Sequence, residues 1–406
     1  MRRILFVDDE SNVLDGIRRM LYSERGRWEM KFAVGGEAAL RVFEESEGFD
    51  VIISDMLMPG MNGVELLRIA RDRYPETARL VLSGYAENAL ANKAATVAHQ
   101  VINKPCTCAD LRAAIEQVCT LKDVLKKAEL RAVIGRIGSL PTLSETYGAL
   151  TRILEEPSAS MSEVAEVIER DVALSAKILQ LVNSAFFGIA QKVTQIEMAI
   201  ETLGVDIIRN LALTSDVFSI FKPDGALPAE RFEAMQQHAH RTAAIVQLFG
   251  LTRRDRDVAV ISALLHDIGY LILACKMTAS FREAQEISAR QNCRFYLAEE
   301  QVLGVSHAEL GAYLLGLWGI DGQVVEAIAH HHHPTRVPHV KLDATVAVYL
   351  ADLLAHEIQL HPMDSKGEQM SEEDRSTLVE LGWADQYANF REKAEQQCQL
   401  PAESAQ

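Results

Sequence analysis

The sequence predicts a multi-domain chain: a doubly wound α/β unit with a five-stranded parallel sheet over residues 1–120, then an all-α unit over residues 135–394. Three observations predict it. Short apolar runs in the first part stop abruptly at polar residues, as VIISD does at Asp55 before a Pro-Gly break, which is how buried parallel strands end at a sheet edge. Those runs alternate with stretches of helical periodicity. Beyond Gly135 and Gly138 the pattern becomes helix after helix with no strand signal.

At 406 residues the chain exceeds one ordinary core, and with 48% hydrophobic residues it is globular. A formal net charge of -16 opposes nonspecific attraction to either DNA or an anionic membrane, and no basic recognition helix is present. Neither is expected as a partner. Six cysteines form no CxxC pair and read as reduced thiols. The apolar run after Arg2 and Arg3 is too short for a signal-peptide core, and no run of membrane-spanning length is read, so a soluble, cytoplasmic protein is expected.

Ile4 to Val7 reads as the first strand, ending in Asp8, Asp9 and Glu10, and Asn12 to Glu24 as the first helix. Lys31 to Val34, Val51 to Ser54, Arg79 to Leu82 and Val101 to Ile102 supply four more strands. Glu37 to Glu45 and Val64 to Arg73 are helices between them. Asp8, Asp9, Asp55, Ser83 and Lys104 therefore all fall at carboxyl ends of strands, on one edge of the sheet. Three carboxylates held close repel one another unless a divalent cation neutralises them, and Mg²⁺ suits hard oxygen ligands. A lysine and a hydroxyl beside that cation suit in-line phosphoryl transfer to Asp55 as a carboxylate nucleophile.

This constellation resembles the receiver domain of two-component response regulators, a flavodoxin-like fold, over residues 1–120. The resemblance implies that Asp55 is the phosphoacceptor and that Asp8, Asp9 and Asp55 hold Mg²⁺ with the Leu57 carbonyl. It makes Ser83 the switch hydroxyl and Lys104 the phosphate's counter-ion, before a cis-prone Pro105. Val101 stands where that family usually has an aromatic residue.

Leu111, Ala114, Val118, Leu121, Leu125, Ala128 and Ala132 recur at alternating spacings of three and four. The spacing predicts one long connecting helix over 108–134 with a heptad seam, used either for a parallel coiled-coil homodimer or for packing on the flanking domains. Tyr147 to Leu154 is helical, Ser160 and Glu163 form a capping box, and Asp171 caps a further helix through Val182. Asn183 and Ser184 follow as turn residues. The segments RIGSLPTLSETY, ERDVALSAKILQLVNSAFFG and AIETLGVDIIRNLAL resemble the HDOD output domain, a member of the HD phosphohydrolase superfamily.

Chemistry in this half lies between His238 and Asp352. His238 and Arg241 share a helix face, His266 and Asp267 follow an apolar run, and His307 opens a helix. His331 and His332 sit inside a run of four histidines, and Asp352 ends the apolar run TVAVYLA. Imidazoles and carboxylates converging from several helices suit an Fe, Mn or Zn site that activates water toward a phosphodiester. Histidines in a helical core also serve as hydrogen-bonded structural groups. The order resembles the HD superfamily ligand set, including the HD-GYP phosphodiesterases that hydrolyse cyclic di-GMP. Two departures stand out: Tyr270 replaces the lysine of those enzymes, and HPTRVPHV contains no Gly-Tyr-Pro motif. The HDOD family is generally regarded as a signalling or interaction module without demonstrated catalysis.

Thr377 to Trp383 and Tyr387 to Ala394 read as closing helices, with a flexible tail over 395–406. The two resemblances together imply a phosphorelay response regulator, phosphorylated on Asp55 by a sensor histidine kinase, whose HDOD domain acts on an unknown downstream signalling protein. The alternative is a phosphorylation-gated, metal-dependent HD-type phosphodiesterase acting on a cyclic dinucleotide or nucleotide.

Overall fold

The computed structural model describes residues 1–83, 97–138, 140–142, 144–155, 160–183, 192–204, 208, 219–220, 227–339, 341–358 and 370–399. The chain divides into two compact units. One comprises Met1–Val167, Ala176–Ile220 and Tyr313–Asp321; the other comprises Ile168–Ser175, Phe221–Ala312 and Gly322–Gln406.

In the first unit, strands β1 (Arg2–Asp8), β2 (Trp28–Val34), β3 (Val51–Asp55), β4 (Ala78–Ser83) and β5 (Gln100–Asn103) form a parallel sheet in the order β2-β1-β3-β4-β5. Ile4 pairs with Val51, Val51 with Ala78, and Leu80 with Gln100. Helices α1 (Ser11–Met20), α2 (Gly36–Glu44) and α3 (Gly63–Arg73) pack on these strands. Ile4, Leu5, Phe6 and the apolar part of β3 are consequently buried without exposed surface, which is why those runs carry no polar alternation. The strand order reverses between β1 and β3, whose carboxyl ends are Asp8 and Asp55. Open α/β sheets form their clefts at such a reversal.

The continuous connecting helix does not form. Helix α4 (Cys108–Val124) stops at Leu125, whose backbone is extended, and α5 (Ala128–Gly135) begins after Lys127. Arg131 accounts for the break by donating to the carbonyls of Leu125 and Lys126 at 2.9 and 2.5 Å while pairing with Glu76 at 3.1 Å. Leu111, Val118, Leu121 and Leu125 are all buried inside the chain. That stripe is internal packing, so a homodimer would need another surface.

Arg79 anchors α5 to the sheet. It is 1% exposed and donates to the carbonyls of Val97 and Gly135, each at 2.6 Å, and of Thr77 at 3.4 Å. Burial pulls its guanidinium down to about 9. Gly135 is needed there because a Cβ would lie 1.9 Å from the Pro75 carbonyl oxygen. Arg79→Ala is expected to destabilise the protein by roughly 2–4 kcal/mol, through a cavity and the loss of its bonds to three buried carbonyls, of which Gly135 keeps only the longer contact from His99 Nε2 at 3.4 Å. Denaturant unfolding monitored by circular dichroism measures this.

Helices α6 (Ser144–Glu155), α7 (Met161–Glu169), α8 (Val172–Val182) and α9 (Ile196–Leu203) follow. The capping box at Ser160 and Glu163 is present, and Asp171 accepts from the amides of Ala173 and Leu174. Asn183 bridges both backbone groups of Val193, a turn-forming role, while Ser184 lies outside the described residues. One strand pair was not expected here: β6 (Pro141–Thr142) pairs in parallel with β7 (Ser219–Ile220). Two residues per strand leave no alternation for a sequence pattern to show.

The second unit is helical. Helices α10 (Ala229–Val246), α11 (Arg253–Leu265), α12 (Ile268–Lys276), α13 (Thr278–Gln291), α14 (Phe295–Leu303), α15 (His307–Leu317), α16 (Gly322–His330) and α17 (Ala344–Ile358) succeed one another. Helices α10, α11, α16 and α17 pack side by side. The expectation that no run reaches membrane-spanning length is corrected by an 18-residue window within Arg253–Lys276, whose mean hydropathy is 2.0. That stretch is core, with 83% of its window buried, and Asp267 divides it into α11 and α12. The last helix continues past Glu395, where a flexible tail was expected. After α18 (Glu372–Glu380), α19 runs Ala384–Gln399, held by buried Tyr387, Phe390 and Ala394 and by an Arg391–Glu395 pair at 3.0 Å.

Candidate functional site

Two clusters gather the residues expected to carry chemistry, one in each unit. In the first, Lys104 reaches from the end of β5 to Asp8 Oδ2 at 2.9 Å and to Asp55 Oδ1. The other Asp55 oxygen accepts from the Leu57 amide at 2.8 Å, and Asp8 Oδ1 accepts from the Glu10 amide at 3.0 Å. Asp9 is exposed beside them, and Ser83 is buried at the end of β4, its carbonyl accepting from the Lys104 amide at 2.8 Å. The Lys104–Pro105 bond is cis, as the resemblance implied. Val101 is buried on β5. Gly63 lets α3 start against the end of β3, because a Cβ there would lie 2.0 Å from the Asp55 carbonyl oxygen.

Burial pushes the Asp55 carboxyl up, Lys104 pulls it down and Asp8 adds to the rise, so the net shift is upward. Burial opposes the Lys104 ammonium, but Asp55 and Asp8 raise it above its ordinary value. Two carboxylates thus share one cation at a strand edge. A hard divalent ion fits this donor set, because more positive charge would relieve the repulsion between Asp8 and Asp55.

The second cluster collects every expected histidine and carboxylate. His238 Nε2 lies 2.9 Å from Asp352 Oδ1 and 3.3 Å from His266 Nε2. Asp267 sits between two groups, with Oδ2 3.4 Å from His266 Nε2 and Oδ1 3.1 Å from His307 Nε2. His332 Nε2 is 3.0 Å from His307 Nε2. His331, wholly buried, directs Nδ1 to the Ile328 carbonyl at 2.7 Å and leaves Nε2 without a hydrogen-bond partner among the described residues. His266 Nδ1 likewise meets the Ala263 carbonyl at 2.6 Å. A carbonyl only accepts, so in both rings Nδ1 carries the proton and a neutral ring keeps its lone pair on Nε2.

Charges divide accordingly. Burial and the neighbouring His266 and His307 push His331 down to about 3, and burial followed by His356 pushes His238 down to about 4. Burial works against ionised Asp267 and Asp352, yet surrounding imidazoles hold both well below the usual carboxylate range. Burial also works against His266 and His307, yet Asp267 raises the first to about 9 and Glu299 raises the second well above its ordinary value, so a transition-metal ion would displace a proton from each of these two rings. Three sets have donor atoms within 4.8 Å of one another: His307, His331 and His332; His238, His266 and Asp352; and His266, Asp267 and His331. The donors and the orphaned, buried His331 Nε2 fit a metal ion.

Other residues of these segments lie outside the cluster. His333 pairs with Glu300 at 3.0 Å instead of entering the cluster, and Arg241 lies on α10 past His238. Tyr270 packs its ring on Phe281 and Phe295 at 5.0 and 5.5 Å. Two residues were missed. His356 Nε2 lies 3.3 Å from Asp352 Oδ1, which its spacing of four along α17 could have shown, and Glu299 holds His307, which no spacing signals.

Gly269 sets the approach of α12 to α15, since a Cβ there would lie 1.9 Å from the His307 carbonyl oxygen. Gly269→Ala is expected to force His307 away from Asp267 and destabilise the protein by at least about 2 kcal/mol, the scale of overpacking against backbone. Thermal unfolding combined with metal content measures both effects.

Residues 4–116 match the response regulator receiver domain family and residues 140–334 the HDOD domain family. An uncharacterized protein of Treponema pallidum (strain Nichols) is 27% identical over 212 residues, covering 51% of this chain and 40% of that protein. Sensor kinase CckA of Brucella abortus (strain 2308) is 36% identical over 128 residues, covering 31% of this chain and 13% of that one. The chain thus spans less than half the length of either relative. A solved structure of a virulence factor from Campylobacter jejuni subsp. jejuni aligns with TM-score 0.52 at 19% identity, over 69% of this chain and all of that one. That likeness is one of fold. With both family matches falling on the sheet and the helical part described above, the chain belongs to the two-component response regulators, joining a receiver domain to an HDOD domain.

Proposed function

We propose that Asp55 accepts a phosphoryl group from a sensor histidine kinase or a small phosphodonor, and that the HDOD domain answers by contact with a downstream signalling protein. A carboxylate oxygen of Asp55 attacks phosphorus in line while the bond to the donor's leaving group breaks, its electrons departing with that group. Lys104, shared between Asp8 and Asp55, is placed to hold a phosphoryl oxygen. Ser83, ending the neighbouring strand, supplies a hydroxyl for another. Asp8, Asp9, Asp55 and the Leu57 carbonyl would hold Mg²⁺, which when bound neutralises charge on the transferring oxygens. The observation that carries this reading is the Lys104 ammonium held between two carboxylates at strand ends. Incubation with acetyl phosphate and Mg²⁺ tests it: intact-mass analysis is expected to show one added phosphoryl group, mapped to Asp55 by peptide sequencing. An unmodified chain under conditions that label another receiver would remove the reading.

Phosphoester hydrolysis is the second reading, favoured by a His331 Nε2 that has no hydrogen-bond partner among the described residues, inside a buried His and Asp cluster. His238, His266 and Asp352 would hold one Fe, Mn or Zn ion and His307, His331 and His332 another, with Asp267 between them. When bound, such ions supply an activated water for attack on a phosphodiester. Against it stand Tyr270, tied up in an aromatic cluster, and the absence of a Gly-Tyr-Pro motif. Metal-loaded protein incubated with cyclic di-GMP and related nucleotides separates the two, with no turnover expected.

A further inference from the structure

Among the histidines of the second cluster, His307 is held differently. Glu299 lies on α14 and has no exposed surface. Gly304 ends that helix in the left-handed conformation and turns the chain, so that His307 opens α15 beside Glu299. One carboxylate oxygen, Oε2, takes two bonds from the same residue: the His307 amide at 2.8 Å and the ring Nδ1 at 2.7 Å. The double contact fixes both the start of α15 and the rotation of the imidazole. It directs Nε2 toward Asp267 Oδ1 and His332 Nε2. His266 and His331 instead bond their Nδ1 atoms to neutral carbonyls, those of Ala263 and Ile328. The second oxygen of Glu299, Oε1, is buried with no hydrogen-bond partner among the described residues.

We propose that Glu299 is a positioning residue for metal at the His307, His331 and His332 end of the cluster, making that position tighter than the one formed by His238, His266 and Asp352. This inference rests on the reading that the cluster binds metal. A buried carboxylate behind an imidazole locks the ring in the ligating orientation and adds a negative charge that favours a cation on the far nitrogen. Only the His307 end has this support among the ring contacts described.

Zn²⁺ titration of the full chain against a chelator tests it, with excess Mg²⁺ present to occupy the acidic pocket of the receiver. The His266→Ala, His307→Ala double variant gives the background of other thiol and histidine sites. The parent is expected to bind Zn²⁺ above that background with its tightest phase assigned to the Glu299 end. Glu299→Gln is expected to weaken that phase by about 10–100-fold and leave the weaker phase unchanged, whereas His238→Ala does the reverse. Co²⁺ substitution adds a readout that loss of packing alone would not give: the ligand-field band of the tight phase shifts in Glu299→Gln. Should Glu299→Gln fail to fold, Glu299→Asp, which keeps the charge but shortens its reach, is expected to weaken the same phase. Unchanged tight binding in a folded Glu299 variant overturns the role of Glu299 while metal binding stands. Parent binding no greater than background overturns the metal reading itself.

Discussion

Asp55→Ala is expected to take up no phosphoryl group from acetyl phosphate and to show no response to beryllofluoride, while remaining folded. The loss is complete because the variant lacks the oxygen that forms the new bond; Asp8, tied to Lys104, and exposed Asp9 cannot replace it in line. Stability should hardly change, and the sign follows from the shift at this residue. Asp55 is raised in the fold, so the stability it contributes is present below the unfolded value and is lost as pH rises through the folded one. At neutral pH, removing the carboxylate therefore relieves its repulsion with Asp8, offsetting the bonds lost to Lys104 and Leu57. A melting temperature within about 4 °C of the parent is expected, corresponding to less than about 1 kcal/mol. Intact-mass analysis and thermal unfolding on one sample separate lost chemistry from lost structure.

The His266→Ala, His307→Ala double variant is expected to lose metal at the helical cluster by more than about a hundredfold, since even an outer partner of a ligand costs about 10–100-fold. His266 contributes to two of the three donor groups and His307 to the third. Removing both leaves no donor group complete. Zn²⁺ content after dialysis, measured by mass spectrometry on tag-free protein, is the check. The parent is expected to retain metal and the variant to fall to the level of an EDTA-treated control. Equal retention in both would mean the ions sit elsewhere, for example on the Cys293 thiol.

The gathering of the polar residues at the receiver's sheet edge was legible in the sequence because period-two strands buried on both faces appear as apolar runs, and a parallel sheet sends all their ends to one edge. Asp8, Asp55 and Lys104 therefore meet as expected. The helical cluster was legible through residue type and order, although the helices bringing those residues together are far apart in the chain. What failed depended on contacts between distant residues. The seam from Leu111 to Leu125 has the spacing of a coiled coil, but spacing cannot say whether the covering surface belongs to the same chain. The stop at Leu125 depends on Arg131 reaching back to two carbonyls and across to Glu76. Arg79 reads as the polar start of a strand, yet it is buried because three carbonyls surround it. Glu299 was invisible for a related reason: a left-handed turn at Gly304, rather than a helical repeat, brings it to His307.

The central claim is that Asp55 is the input and the HDOD domain the output. Amide hydrogen exchange of the full chain, with and without Mg²⁺ and beryllofluoride, tests this most directly when parent and Asp55→Ala are compared. Changed exchange is expected in helices of residues 140–334 of the parent and none in the variant. Changes confined to residues 4–116 of the parent, or identical changes in Asp55→Ala, would contradict it.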